Sequence, residues 1–244
     1  MTLSIVESIY SMGTERKQIS SSLRKRGTIS MSESIRNTNR SGKMGMIVEF
    51  KRASPSGFIM ERDQDPEEYF RSVISDRVSG LSVLTEPEYF KGSYNDIAGV
   101  QHLGLPILDK DFISSREMVM NAYNSGSDAI LLISDFLSEY DVNDLSSLSR
   151  RMGMEVLLEF HDPSALKFPE DLSGIMLGYN RRNLKTLRIE EDTKGIELLT
   201  SYDGIRIIES GIDSSNYARI NNLDCNAMLI GRAVLEGDIL PGDA

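Results

Sequence analysis

From residue 46 to residue 230 the chain repeats one unit, a short apolar run followed by a longer stretch with helical periodicity, and that alternation leaves few folds open. The runs are 46–50, 80–84, 106–108, 129–133, 155–160, 174–177, 204–208 and 227–230. Runs that begin about 25 residues apart, eight in number, are what a closed (β/α)8 TIM barrel of class α/β requires. An open doubly wound sheet is the alternative, but no run is followed by a glycine-rich dinucleotide fingerprint. For 244 residues this predicts a barrel over 46–244 preceded by a helical extension over 1–45. In that extension Leu3, Val6, Ile9 and Tyr10 recur at helical spacing, predicting an amphipathic first helix. Ser30 and Glu33 form a capping-box pattern opening a short helix through Ile35, and 37–43 reads as a polar connection. The Arg24-Lys25-Arg26 run reads as a solvated face, with a phosphate contact as the alternative.

Composition narrows the chemistry. No apolar stretch is long enough to span a bilayer, and the first dozen residues lack the basic start and apolar core of a signal peptide, so a cytoplasmic protein is expected. One cysteine, Cys225, excludes an internal disulfide and reads as a small core residue; with only His102 and His161 besides, no metal site is expected. A net charge of -10 disfavours nucleic acid and anionic membrane, so an anionic ligand needs a local cluster of cations.

Active sites of such barrels form at the C-terminal strand ends, and charge gathers there. Within 47–57, Glu49 and Lys51 lie two apart and share a strand face. A buried ion pair inside a strand costs more than it returns unless well hydrogen-bonded, which marks a site; a solvated strand end with a surface salt bridge is the alternative. Arg52, Ser54 and the Pro55-Ser56-Gly57 turn follow, offering a guanidinium, a hydroxyl and backbone amides to an anion. Lys110 shares the inward face of Leu108, Glu159 ends the fifth run, Asn180 with Arg182 follows the sixth, and Glu209-Ser210-Gly211 the seventh. Each could singly be a surface residue; four strands ending this way jointly indicate a site. Ser210-Gly211 and Gly231 lie where barrels of this class bind phosphate, so a phosphorylated small molecule is expected, unless these glycines only permit tight turns.

These motifs resemble the indole-3-glycerol-phosphate synthase family. Glu49-Phe50-Lys51-Arg52-Ala53-Ser54-Pro55-Ser56 is similar to its Glu-x-Lys-Arg-x-Ser-Pro-Ser block, and Ser82-Val83-Leu84-Thr85-Glu86-Pro87 with Tyr89-Phe90 to its second strand and loop. Lys110-Asp111-Phe112, the fourth run 129–133, Glu159, Asn180, Arg182, Glu209-Ser210-Gly211 and Leu229-Ile230-Gly231 continue the likeness over about residues 28–235. The resemblance implies ring closure of 1-(2-carboxyphenylamino)-1-deoxyribulose 5-phosphate with loss of carbon dioxide and water, without a cofactor. It makes Lys110 the general acid and Glu159 the general base, with Lys51, Glu49, Asn180 and Glu209 completing the catalytic set. Arg182, Arg52, Phe90, Phe112, Leu131 and Ser210 would bind substrate, and Ser54, Gly211, Gly231 and Arg232 its phosphate. Two neighbouring lysines in a closed site are expected to have lowered pKa values. The likeness suggests a monomer and leaves association with other tryptophan-pathway enzymes open. Its rivals are an isomerase of phosphoribosylanthranilate, which would want a cysteine ending the first strand, and a non-catalytic phosphate-binding barrel. The chain departs from the family at Asn183, usually Asp, at Arg232, usually small or acidic and expected to face solvent, and in having few residues after Leu235 for a last helix.

Overall fold

The computed structural model describes residues 4–13, 19, 21–60, 64–190 and 192–242. Eight parallel strands close on themselves in sequence order, β1 (Gly45–Phe50), β2 (Val78–Leu84), β3 (Ile107–Lys110), β4 (Ala129–Ile133), β5 (Glu155–Phe160), β6 (Ile175–Asn180), β7 (Ile205–Glu209) and β8 (Ala227–Ile230), with β8 pairing β1. The helices between them are α3 (Pro66–Val73), α4 (Tyr94–Val100), α5 (Arg116–Ser125), α6 (Glu139–Arg151), α7 (Thr193–Ser201) and α8 (Tyr217–Asn221). Alternate residues explain the two apolar clusters. Met46, Val48, Leu81, Val83, Ile130, Leu132, Val156 and Leu158 face outward to the helices. Ile47, Leu108, Leu131, Leu157, Met176, Ile207 and Leu229 fill the barrel.

β3, β6 and β7 each run past the last apolar residue expected of them, to Lys110, Asn180 and Glu209. Ladder bonds are made by the backbone and ignore side-chain polarity, so Leu84 pairs Lys110, Ile133 pairs Glu159 and Asn180 pairs Glu209 in regular register. Lys110, Glu159, Asn180 and Glu209 therefore stand on strands rather than on loops.

Before the barrel, α1 (Ile5–Gly13) and α2 (Met31–Arg40) lie at opposite ends of it. Val6 of α1 lines the cavity at the C-terminal strand ends, and Tyr10 stacks on Phe136 and meets Phe112 edge-on. Leu3 lies outside the described residues. α2 plugs the other end with Met31 and Ile35. Its first turn rests on Glu155, whose carboxylate accepts the amides of Met31 at 2.6 Å and Ser32 at 2.9 Å. Ser30 caps α2 through the Glu33 amide as expected, but the Glu33 side chain turns to Arg40 rather than back to the cap, and the helix continues through Arg40 into the segment expected as a connection.

Arg24 and Arg26 correct the reading of the basic run as a solvated face, while Lys25 between them is exposed. Arg26 makes two bonds, at 2.9 and 2.7 Å, to the buried carboxylate of Asp128, and Arg24 lies over Tyr123 and donates to its carbonyl at 2.8 Å. These arginines carry the crossing segment along the barrel wall. Cys225 is partly buried against the outer cluster, and burial pushes its thiol up to about 12. No helix among the described residues is long and apolar enough to cross a membrane.

Candidate active site

At the C-terminal strand ends lies a cavity of about 440 Å3. Lys110 stands at its centre, with Nζ 3.2 Å from Glu159 Oε2 and 3.3 Å from Glu209 Oε2. Asn180 Nδ2 donates to the other Glu159 oxygen at 2.9 Å, while Asn180 Oδ1 accepts the Arg182 amide at 2.9 Å. Lys51 pairs with Glu49 on β1, as their spacing on one strand face predicts. Burial alone would drive the Glu49 carboxyl up, but Lys51, Lys110 and Arg182 bring it below the ordinary range.

The expectation of a lowered lysine pKa fails for Lys110. Burial pulls in that direction, yet Glu159, Glu209 and Glu49 outweigh it and hold the ammonium well above its usual value. The compensating shift falls on Glu209: buried, beside Glu159 and with neither oxygen accepting a well-formed hydrogen bond, its carboxyl is pushed up to about 8 despite Lys110.

Two glycines make this packing possible. A β-carbon on Gly178 would overlap Glu209 Oε1 and come within 2.9 Å of Leu157 Cδ1. One on Gly231 would overlap Glu49 Oε1 and lie 2.8 Å from Lys51 Nζ. Gly231, expected to serve a phosphate, thus also clears the space for the ion pair on β1.

The cavity has two kinds of wall. Phe90, Phe112, Leu131, Ile133, Leu184 and Val6 form an apolar slot, with the Phe90 and Phe112 ring centroids 5.8 Å apart. Lys51, Arg182 and Arg232 bring cations to its lining together with Ser54, Ser210, Gly211 and Gly231. Ser210 and Gly211 have φ of +68° and +63°, so two successive left-handed residues swing the chain out of β7. Arg232 is half exposed, 3.9 Å from Glu236 and over the Phe58 ring, at the rim of the cavity rather than wholly in solvent. It opens α9 (Arg232–Leu235), after which no further helix follows among the described residues.

Arg52 is the candidate that the fold does not bring to the cavity lining. Its guanidinium bonds Asp96 of α4 at 2.6 and 3.0 Å and lies over Phe50. A short β-strand end turns successive side chains to opposite sides, so Lys51 inward means Arg52 outward. Residues not singled out from sequence include Glu86, whose buried carboxylate accepts the amides of Glu88, Tyr89 and Phe90 at 3.0, 2.6 and 3.0 Å and so sets the Phe90 side of the slot. Val6, read from sequence only as part of an amphipathic helix, lines the cavity with Leu184 and Ile189, for which only apolar character on an otherwise polar segment could have drawn notice.

Solved structures of low sequence identity share the fold. A chain from Aquifex aeolicus superposes with TM-score 0.58 at 9% identity over 86% of this chain and 91% of that one. A 3-keto-L-gulonate-6-phosphate decarboxylase from Vibrio cholerae does so with TM-score 0.56 at 13% identity, over 78% and 89%. Sequence relatives say more. The family model for indole-3-glycerol phosphate synthase matches residues 5–240. An indole-3-glycerol phosphate synthase of Picrophilus torridus is 42% identical over 235 residues, 96% of this chain and 93% of that protein. One of Thermoplasma volcanium is 41% identical over 218 residues, 88% and 87%. With the family model matching residues 5–240 and relatives of this identity covering 88–96% of its length, the chain belongs to the indole-3-glycerol phosphate synthase family.

Proposed function

We propose that the cavity closes the indole ring of 1-(2-carboxyphenylamino)-1-deoxyribulose 5-phosphate, with Lys110 and Glu159 handling the protons. The family's decarboxylating lyase activity sets the reaction class. The observation that carries the assignment is the Lys110 ammonium, buried between two carboxylates beneath a slot that is apolar on one side and cationic on the other. An aromatic ring fits between Phe90, Phe112 and Leu131, and a phosphate fits the amides and cations around Ser54, Gly211, Gly231 and Arg232.

In this reading the ring carbon that bears the carboxylate attacks the ketone carbon. Charge develops on the ketone oxygen, and Lys110 protonates it. The raised pKa keeps Lys110 protonated until that charge appears. The carbon–carboxylate bond then breaks, its electron pair restores the aromatic ring, and carbon dioxide leaves. Dehydration follows: the hydroxyl departs as water, and Glu159 takes a proton from the adjacent methylene. Lys51, set by Glu49, steadies the departing carboxylate or supplies the proton to the hydroxyl. Arg182 is a second cation for the carboxylate, while Asn180 and Glu209 hold hydroxyls and orient the lysine. Ser210 contacts the substrate from the β7 turn, and Arg52 acts only indirectly, by tying the end of β1 to α4.

Incubating the purified chain with this substrate tests the reading directly. The protein has no tryptophan, so the indole emission of the product is free of any indole background from the chain itself. A rise in that emission is expected; its absence, with substrate recovered intact, would overturn the proposal.

A further inference from the structure

Glu86 stands two residues beyond Leu84, which ends β2, pairs Lys110 and lines the cavity. A carboxylate at that end of a barrel strand reads as catalytic. Glu86 is instead 1% exposed and lies outside the lining of the cavity. Its oxygens accept backbone amides. Pro87 has no N–H to give, and the next three amides converge on this one side chain: Glu88 on Oε1 at 3.0 Å, Tyr89 and Phe90 on Oε2 at 2.6 and 3.0 Å. Three donors offset the cost of burying the group. The ends of the turn are set separately. The Gly92 amide donates to the Glu86 carbonyl at 2.9 Å, and a β-carbon on Gly92 would overlap the Leu84 carbonyl oxygen, so the chain returns onto the end of β2. That one backbone bond closes 86–92, while the side chain of Glu86 decides where residues 88–90 point.

Two parts of the cavity hang on this turn. Its Phe90 ring meets Phe112 in the apolar slot. Its backbone carries the polar wall: the Phe90 carbonyl accepts the Ala53 amide at 3.2 Å, and Lys91, at φ +55°, offers its carbonyl to Arg52 at 3.4 Å. Residues 52 and 53 open a hairpin that closes on itself, the Met60 amide donating to Arg52 at 2.8 Å and the Ser54 amide to Phe58 at 2.9 Å. The tip of that hairpin brings Ser54, Pro55 and Ser56 to the cavity. Closing the hairpin does not place it, and the Phe90 carbonyl ties its base to the turn that Glu86 shapes.

We propose that Glu86 is a positioning residue that sets the two halves of the cavity against each other, aiming the Phe90 ring into the slot and, through the Phe90 carbonyl, holding the hairpin 52–60 with Ser54 at the phosphate side. Its effect on substrate rests on the reading of the cavity given above; its hold on the turn does not.

The test uses Glu86→Gln, which keeps one acceptor oxygen but sets an amide donor against backbone donors. Phe90→Trp supplies the turn with a tryptophan in a chain that has none. Without substrate, adding Glu86→Gln is expected to shift its emission to longer wavelength and lower its anisotropy; emission unchanged by Glu86→Gln overturns the proposal. Should Glu86→Gln fail to fold, Glu86→Asp, which keeps the acid group and shortens its reach by one methylene, is read the same way. In the cavity each half has its own probe, 2-aminobenzoate for the slot and inorganic phosphate for the polar wall, both as inhibitors of turnover. Glu86→Gln should raise both inhibition constants about three- to tenfold with kcat within about threefold, a coupling of the size found between residues of one network. In Phe90→Ala, which removes the ring and keeps the backbone, Glu86→Gln should still raise the constant for phosphate and no longer that for 2-aminobenzoate. Constants unchanged by Glu86→Gln, with only the melting temperature lowered, would make Glu86 purely structural and overturn the proposal. If the parent shows no turnover, or Phe90→Ala leaves 2-aminobenzoate inhibition unchanged, the reading of the cavity fails and the emission of Phe90→Trp alone decides the role of Glu86.

Discussion

Gly178→Ala probes the carboxylate cluster without substituting a charged residue. The new methyl would overlap Glu209 Oε1 and sit 2.9 Å from Leu157 Cδ1, so the carboxylate must withdraw by on the order of 1 Å. That stretches its 3.3 Å pairing with Lys110 and moves the lysine relative to Glu159. Misplacement of this size typically costs about a hundredfold in rate. Overpacking costs about 1–3 kcal/mol, partly offset by the roughly 0.5–1 kcal/mol gained on replacing a strand glycine, so the melting temperature should fall by only a few degrees. Steady-state kinetics by indole emission should therefore show kcat down about a hundredfold in a protein that is still folded. In a Glu209→Ala background the same change should cost much less, because the carboxylate is gone and only the Leu157 Cδ1 methyl at 2.9 Å has still to give way. Additive losses in the double variant, or a single variant keeping more than a third of kcat, would refute the idea that Gly178 makes room for Glu209.

Glu209 also sets a pH signature: with its folded pKa near 8 against 4.5 unfolded, the native state binds the extra proton between those values, so stability should fall as pH rises across that window. Glu209→Gln should flatten that part of the slope and melt above the parent at pH 8, as read by calorimetry, while losing activity. Arg52→Gln leaves Asp96 unpaired and should lower stability by about 1–3 kcal/mol in denaturant unfolding, with a smaller effect on KM than Arg182→Met. Asn183→Asp restores the family's usual residue but sets a carboxylate where Asn183 Nδ2 now lies 3.1 Å from Glu190; KM should rise about two- to fivefold, less so at high salt.

The barrel was legible because short apolar runs alternate with longer helical stretches along the chain, although between β5 and β6 the helix is replaced by one short turn, Pro163–Ala165. The site was legible where charge interrupts an apolar strand, as at Lys110 and Glu159. Strand ends were misjudged for the same reason, since the ladder runs on through Asn180 and Glu209 where the apolar signal stops. Partners distant in sequence stayed hidden. Nothing near Arg26 announces Asp128, nothing in Arg52 announces Asp96, and no glycine reveals from its own neighbours that it clears space for Glu49 or Glu209. The pKa of Lys110 was misjudged because sequence shows the second lysine but not that three carboxylates converge on the first.

Rapid-quench mass analysis of the species bound to Lys110→Met and to Glu159→Gln compares the two proton-handling roles in one measurement. Lys110→Met should hold unreacted substrate, with turnover reduced at least a hundredfold, because the ketone oxygen finds no acid. Glu159→Gln should accumulate the decarboxylated but still hydroxylated intermediate. Unreacted substrate alone in both variants, or the same intermediate in both, would contradict the division of labour between Lys110 and Glu159.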